Sequence, residues 1–491
     1  RLQSGCYRTE GNMRGYSPRS NNTRTNSLHI NSPRSNNTRT NSLHINSPRL
    51  NNLLTNNPTT IYGALLAESN LISRAVKLIL CLAALTFLAG CSQAEVPVYQ
   101  RNEEGILLTV LAGQSTSDAG IEDMIDEVLA EEFPNVKLQW ECVDWGEKFN
   151  SQMQGRFAAG DIPDIMIGKA QDVQAYAHTG NLAVLQGDYK DKIRDEALKA
   201  VTVDGAIYGM PYNAWYQGVI YNKEIFRKYN LKVPATQKEL KHIIKVLKEN
   251  EITPFASHFR ESWKVGNMTM QFFMNEIFSS NPDWGDQFRQ GKVNFGDSPV
   301  IRRCLSYNKM ILDASWQDAL LIDQFESDSR FTDGQAAMYL TGSWSMQFTS
   351  QYNENMELGI FPFPNENGDA RLIRETNMTF MKSAKTKHSE LITDIFHTLL
   401  TSEKLEREIL DFTQTASVVK GIEPASRSKI QDDIDTYEKN GQVVEVSLGN
   451  SQFVWSFQND LAAQQLLWLQ GEKSLDEVLS YADREREESA Y

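Results

Sequence analysis

Beyond its first hundred residues the chain predicts an α/β fold, and three features carry the prediction. Short apolar runs suited to buried strands alternate with stretches of helical spacing. Gly and Pro turns separate them, and helix starts carry capping residues.

Taken in order, Ile106–Leu111 is a continuous apolar run that fits a buried strand. Ile121, Met124, Ile125, Val128 and Leu129 fall on one helical face. Pro134 ends that helix, and Val136–Trp140 alternates as a second strand. A further helix is expected over 145–159, and Gly160 with Pro163-Asp164 turns the chain into a third strand at Ile165–Ile167. Strands separated by helices describe a parallel sheet. Next, Gly205–Tyr212 reads as a hairpin, Val219–Asn222 as a strand and Lys223–Phe226 as a helix start. Thr236 caps another helix, and Glu239 completes a capping box.

The residues before this body differ from it. Ser17–Asn31 recurs identically as Ser32–Asn46, and a degraded copy begins at Ser47. Each 15-residue copy offers only one Leu and one Ile as apolar material, too little to offset the entropy of ordering its backbone. Residues 1–70 are therefore expected to stand outside the working protein. Arg74 and Lys77 then precede an apolar run, Leu78–Leu88, that ends in Leu88-Ala89-Gly90-Cys91. A basic segment, a short apolar core and a small-residue cleavage site describe an export signal over 71–90. The Leu-Ala-Gly-Cys ending resembles a bacterial lipobox, which implies lipidation of Cys91, with 91–104 as a tether.

Charge follows the same division. The chain carries a net charge of −14, yet residues 1–90 hold ten Lys and Arg against two Asp and Glu, so the rest is strongly acidic. That balance argues against nucleic acid as a partner. It also leaves the membrane to be reached through the lipid alone. No CxxC or HExxH pattern occurs, the histidines are scattered, and neither a phosphate loop nor a GxSxG elbow is present. Neither metal nor cofactor is expected. Cys142 and Cys304 are too far apart in sequence to decide whether they pair.

Six pieces in order now resemble a known family: Gly160 with Pro163-Asp164-Ile165; Gly205, Tyr208-Gly209 and Pro211; Tyr221-Asn222-Lys223-Glu224 with Phe226; Pro234, Thr236 and Glu239-Leu240; Phe331–Met338 leading to Gly342-Ser343-Trp344; and, more weakly, Gly471–Glu477. They are similar to the extracellular solute-binding proteins, family 1, of ABC importers, whose best-known members bind sugars. The resemblance implies a two-lobed α/β fold of the periplasmic-binding-protein kind (class II), with the ligand in a cleft between lobes joined by hinge crossings. Carried onto this chain, the first lobe takes 105–213 and 364–415, and the second 216–360 and 420–491. Hinges fall at 213–216, 361–364 and 417–421.

The function implied is binding without catalysis. A monomer captures a carbohydrate by hinge closure and hands it to the permease subunits. The alternatives are a binding protein for a polyamine or other non-sugar solute, a receptor reporting to a membrane sensor, and a secreted carbohydrate-active enzyme. A sugar presents apolar C–H faces and a fringe of hydroxyls, so its site needs aromatic rings and planar polar groups. The resemblance points to Trp344 as a stacking platform, with Trp263 and Trp455 as further rings. Trp215 lies beside the first hinge. Polar candidates at strand ends are Gln114, Asp144, Lys169, Asn213 and Glu375. Asp164 is expected to brace its turn instead.

Overall fold

The computed structural model of the protein describes residues 105–113, 120–143, 147–446 and 452–489. The repeats, the export signal and Cys91 lie outside the described residues, as do Gln114, Asp144 and the side chain of Trp455.

The chain opens with β1 (Ile106–Gly113), α1 (Ile121–Glu132), β2 (Val136–Val143), α2 (Glu147–Ala159), β3 (Ile165–Gly168) and α3 (Ala170–Tyr176). β1 pairs in parallel with both β2 and β3. This is the strand–helix alternation read from the sequence, made into a sheet with β1 at its centre. Asp164 ties the turn before β3 to β1: its Oδ2 accepts from Thr109 N and Oγ1, each at 3.0 Å. A small hairpin follows, β4 (Thr202–Val203) and β5 (Ala206–Ile207). Its two turn residues, Asp204 and Gly205, have φ of +50° and +79°, the left-handed pair that suits a tight hairpin.

The long strand β6 (Asn213–Asn222) then starts a second sheet. The elements α4 (Gln237–Glu249), β7 (Thr253–Ala256), α5 (Ser262–Phe273), α6 (Pro299–Asp313), α7 (Gln324–Thr332), β8 (Ala336–Gly342), α8 (Ser345–Tyr352), β9 (Leu358–Phe361) and β10 (Leu372–Asn377) follow in order, strands and helices interleaved. Thr236 and Glu239 cap α4 reciprocally. Residues 213–214 pair with β10 on one edge of β6 and with β12 (Ala416–Ser417) on the other. Residues 219–221 pair with β9 and β8 in the same way. β6 is thus the spine of the second sheet.

After β10 the chain returns to the first sheet as β11 (Thr379–Lys382), antiparallel to β3. Helices α9 (Ser389–Thr401) and α10 (Glu403–Thr413) complete that lobe. α11 (Gln431–Lys439), β13 (Val443–Glu445), α12 (Trp455–Leu469) and α13 (Leu475–Arg484) close the second. The first core is built from β1, β3, β11, α1 and α9, with Phe380, Phe396 and Ile395 among its buried residues. The second is aromatic-rich and centres on Phe273, Phe288, Phe295 and Phe453.

Two boundaries differ from expectation. Residues 364–377 were assigned to the first lobe, but β10 pairs with β6 and β13, and Ile373 lies in the second core. The crossing therefore falls at Asn377–Met378 and not at Phe361–Pro364. Residues 372–377 and 379–382 are separated only by Met378, and strand pairing assigns each to its sheet. At the third crossing, Val419 and Ile422 still pack in the first core, and Ile430 is the next residue buried on the second-lobe side. That crossing lies later than 417–421. Cys304 is a free thiol inside the second core, and the Cys142 thiol donates to Glu122 at 3.4 Å, so the two do not pair.

Candidate functional site

β6 leaves the first core at Ala214 and enters the second-lobe packing at Tyr216. Side chains alternate along a strand, so Asn213, Trp215 and Gln217 share one face. The antiparallel register sets Asn377 opposite Asn213 and Glu375 opposite Trp215 on that face. Gln217 stands opposite Gly342 of β8.

Against this face the first lobe brings the start of α3. Gln171 Nε2 donates to Glu375 Oε1 at 3.1 Å, and Lys169 Nζ lies 3.3 Å from the same oxygen. Within the second lobe, Gln217 Nε2 donates to Glu375 Oε2 at 2.6 Å. Asn267 of α5 continues the chain, donating Nδ2 to Gln217 Oε1 at 2.9 Å, and Gln271 Nε2 donates to Asn267 Oδ1 at 3.1 Å. One nearly buried carboxylate thus receives donors from both lobes. Asp172, beside it, accepts Lys169 N at 2.7 Å, and burial pushes its pKa up to about 6.

The aromatic side of the site is built by β8 and the turn after it. The Trp344 indole folds back over Gly342, where a Cβ would fall 2.1–2.5 Å from the ring. Glycine is required at that position so that the ring can lie on the sheet face carrying Gln217. Trp215 meets Trp344 edge to face, with centroids 6.0 Å apart and an interplanar angle of 84°. Both rings are partly exposed. Beneath them lies a buried polar brace: Lys264 Nζ donates to Leu340 O at 2.5 Å and sits 4.8 Å from the centre of the Tyr339 ring. Burial pushes Lys264 down to about 7 and Asp328 up to about 7, so both groups are tuned by desolvation under the turn that presents Trp344.

The structure therefore brings together Trp215, Trp344, Lys169, Glu375 and Asn213. Asn213 is buried, and its Oδ1 has no hydrogen-bond partner within the protein, as is true of Asn377 Oδ1 opposite it. Trp263 begins α5 one turn before Asn267, on the same helical face, with its ring 5.2 Å from buried His258. Burial pushes the pKa of His258 down to about 4, which keeps that ring neutral at physiological pH. Trp455 opens α12, which packs on α5. Trp284 stacks on Phe288 in the second core, Trp140 donates to Asp126 at 3.1 Å, and Trp316 lies under the Arg330 guanidinium, as packing residues do.

Gln171, Gln217, Asn267 and Gln271 were not picked out from sequence. Three of them left a trace there. Gln217 alternates with Asn213 and Trp215, and Asn267 and Gln271 recur at a four-residue interval on α5. Gln171 left none.

On the opposite face of the same crossing, Ala214, Tyr216 and Arg374 line a cavity of about 670 Å³. Its charged walls are largely satisfied by one another: Arg374 Nε donates to Glu445 at 3.0 Å, Arg427 to Asp435 at 2.7 Å and Arg194 to Glu423 at 2.8 Å. The planar amides and indoles lie on the other face. Among the described residues no cluster of His, Cys, Asp and Glu could hold a metal ion, and no helix is long and apolar enough to cross a membrane.

Two α/β lobes, joined by strands that pass from one sheet to the other and framing a polar–aromatic face at the crossing, define a periplasmic-binding-protein fold. The sequence profile of the bacterial extracellular solute-binding proteins matches residues 112–405, and the chain belongs to that family. It is 23% identical over 360 residues to the multiple sugar-binding protein of Streptococcus mutans, covering 70% of this chain and 82% of that one. Among solved structures, a chitin oligosaccharide binding protein superposes with a TM-score of 0.67 at 20% identity, over 79% of this chain and 99% of the other. The solute-binding protein RafE in complex with raffinose gives 0.65 at 17% identity, over 78% and 100%.

Proposed function

We propose that this chain is the extracytoplasmic solute-binding component of an ABC importer and takes a sugar or oligosaccharide between its lobes. The observation that carries this reading is the pair Trp215–Trp344 beside the amides of Gln171, Gln217 and Asn267. Indole faces suit the C–H surface of a pyranose, and amides can both donate to and accept from hydroxyls. The sugar-binding relative and the saccharide-binding fold neighbours support the same ligand class. A polyamine fits less well, because the Lys169 ammonium already stands 3.3 Å from Glu375 and would repel a second cation.

Binding proceeds by hinge closure: ligand that touches both lobes stabilises the closed arrangement in proportion to its extra contacts there. No bond is made or broken. The closed form then docks on the permease and releases its cargo. In this reading, acyl chains on Cys91 keep the protein at the extracytoplasmic face of the cell membrane.

Calorimetric titration with mono- and oligosaccharides tests the reading. At least one saccharide binds, and Trp344→Ala weakens it by roughly 10- to 100-fold, as loss of a central aromatic contact does. Binding of spermidine with no saccharide bound would replace this reading with the polyamine one.

A further inference from the structure

One register pair on the site face carries side chains that the protein leaves unsatisfied. Asn213 of β6 and Asn377 of β10 stand opposite each other, two residues along from Trp215 and Glu375 on the same face. Both are buried, at 2% and 8% exposure, and neither Oδ1 has a hydrogen-bond partner within the protein. Gln171, which reaches across from α3, is buried as well. Its Nε2 is taken up by Glu375, but its Oε1 has no partner. Buried amide oxygens without a donor are costly, and folded proteins keep few of them. Three of them beside one carboxylate call for a donor from outside the chain. The asparagine side chains are not what joins their strands, because the backbone ladder of β6 and β10 runs from Asn213–Asn377 to Gln217–Ile373.

We infer that Asn213, Asn377 and Gln171 form the floor of the interlobe site and take the hydroxyl donors of a single uncharged sugar unit. The inference rests on the saccharide reading given above. Facing residues on antiparallel strands have Cβ atoms about 5 Å apart, so the two asparagine amides converge on neighbouring hydroxyls of one ring. Trp215 lies about 7 Å along the same strand face, and a ring stacked on its indole brings its hydroxyl edge to the pair. A hydroxyl both donates and accepts, as an amide does, so each amide is satisfied by one hydroxyl. Charged ligands fit less well. Glu375 and Asp172 repel the carboxylate of an acidic sugar, and the Lys169 ammonium, 3.3 Å from Glu375, repels a cation. Gln171 belongs to the first lobe and Asn377 to the second-lobe sheet, so hinge opening admits the sugar unit and closure completes its hydrogen bonds.

The test titrates galactose, maltose, xylobiose, chitobiose and raffinose into the wild-type protein and into Asn213→Leu and Asn377→Leu, which keep the side-chain size and remove the amide. The saccharide that binds the wild type most tightly is then compared with its monodeoxy derivatives and its uronic acid. Each leucine variant binds that saccharide about tenfold or more weakly, while its melting temperature without saccharide stays level or rises, because a buried oxygen lacking a donor is gone. One monodeoxy derivative binds the wild type about tenfold more weakly than its parent, but the matching variant by less than about twofold, as a direct contact requires. Where a leucine variant does not fold, alanine at the same position is measured in its place. Unchanged saccharide affinity in both variants assigns the two oxygens to a buried water or to the packing of the strands, and overturns the floor while leaving the saccharide reading standing. Deoxy penalties of equal size in wild type and variants also overturn it. Tighter binding of the uronic acid overturns the uncharged class. Absence of binding by any saccharide to the wild type overturns both readings.

Discussion

Glu375 shows how a single residue acquires its role from position. Its neighbours in sequence, Arg374 and Thr376, give no hint of the cleft, yet strand register turns Glu375 toward Trp215 while Arg374 points to the opposite face and pairs with Glu445. Glu406 is a second buried carboxylate, enclosed near the crossing with Ser417 Oγ donating to it at 2.9 Å. Burial pushes its pKa from the usual carboxylate range up to about 8, although hydrogen bonds from Ser417 and Tyr212 oppose the shift. Between pH about 4.5 and 8 the folded state keeps a proton that the unfolded chain has lost, so stability falls as pH rises through that window. Glu406→Gln removes this slope, worth on the order of a few kcal/mol. Denaturant melts of wild type and variant at several pH values check it. The difference between the two proteins is the readout, because burial also raises Asp328, to about 7, and adds a slope of the same sign. An identical pH dependence in both proteins contradicts the assignment.

At the scale of elements, the informative unit is the crossing made by β6, β10 and β11. Met378 separates the last two with φ at +44°, a left-handed conformation that a residue bearing Cβ adopts at a cost of about 1–2 kcal/mol. That turn lets consecutive strands join different sheets, and it explains why an apparently continuous β-rich segment divides between lobes. The turn after β8 is equally constrained. Gly342→Ala places a methyl group where the Trp344 ring now lies, so the ring must leave the sheet face. The expected result is saccharide affinity reduced by about as much as in Trp344→Ala, with a melting temperature lowered by only a few degrees. Retention of full affinity would show that the Trp344 ring is not held on that face when ligand binds. The strand and helix order of the first sheet and the capping box at Thr236 were legible in the sequence, because local periodicity and capping chemistry determine them. The division at Met378 was not, since it depends on pairing between residues distant in the chain.

For the molecule as a whole, the proposed function requires relative motion of two separately packed cores. Among the described residues, the links between them include the strands of the crossing and the Lys169–Gln171–Glu375–Gln217 contacts, which ligand hydroxyls could join or replace. Small-angle scattering of residues 105–491 at saturating saccharide is expected to show a smaller radius of gyration than without ligand. No compaction at saturation contradicts capture by closure. At the site itself the Lys169 ammonium stands against Glu375, with the buried carboxyl of Asp172 beside them.

By itself the sequence determined the α/β class and the family, and it offered Trp344, at a Gly-x-Trp ending, and Trp215, beside the first hinge, as candidates. Local patterns encode those features: apolar period, turn chemistry and a Gly-x-Trp ending to a strand. Tertiary structure alone decided that Gln171 of one lobe meets Glu375 of the other and that Gln217 and Asn267 extend the polar line. Those are contacts between residues up to 204 positions apart. Sheet register and helix packing create them, and local spacing along β6 and α5 marks the residues without naming their partners.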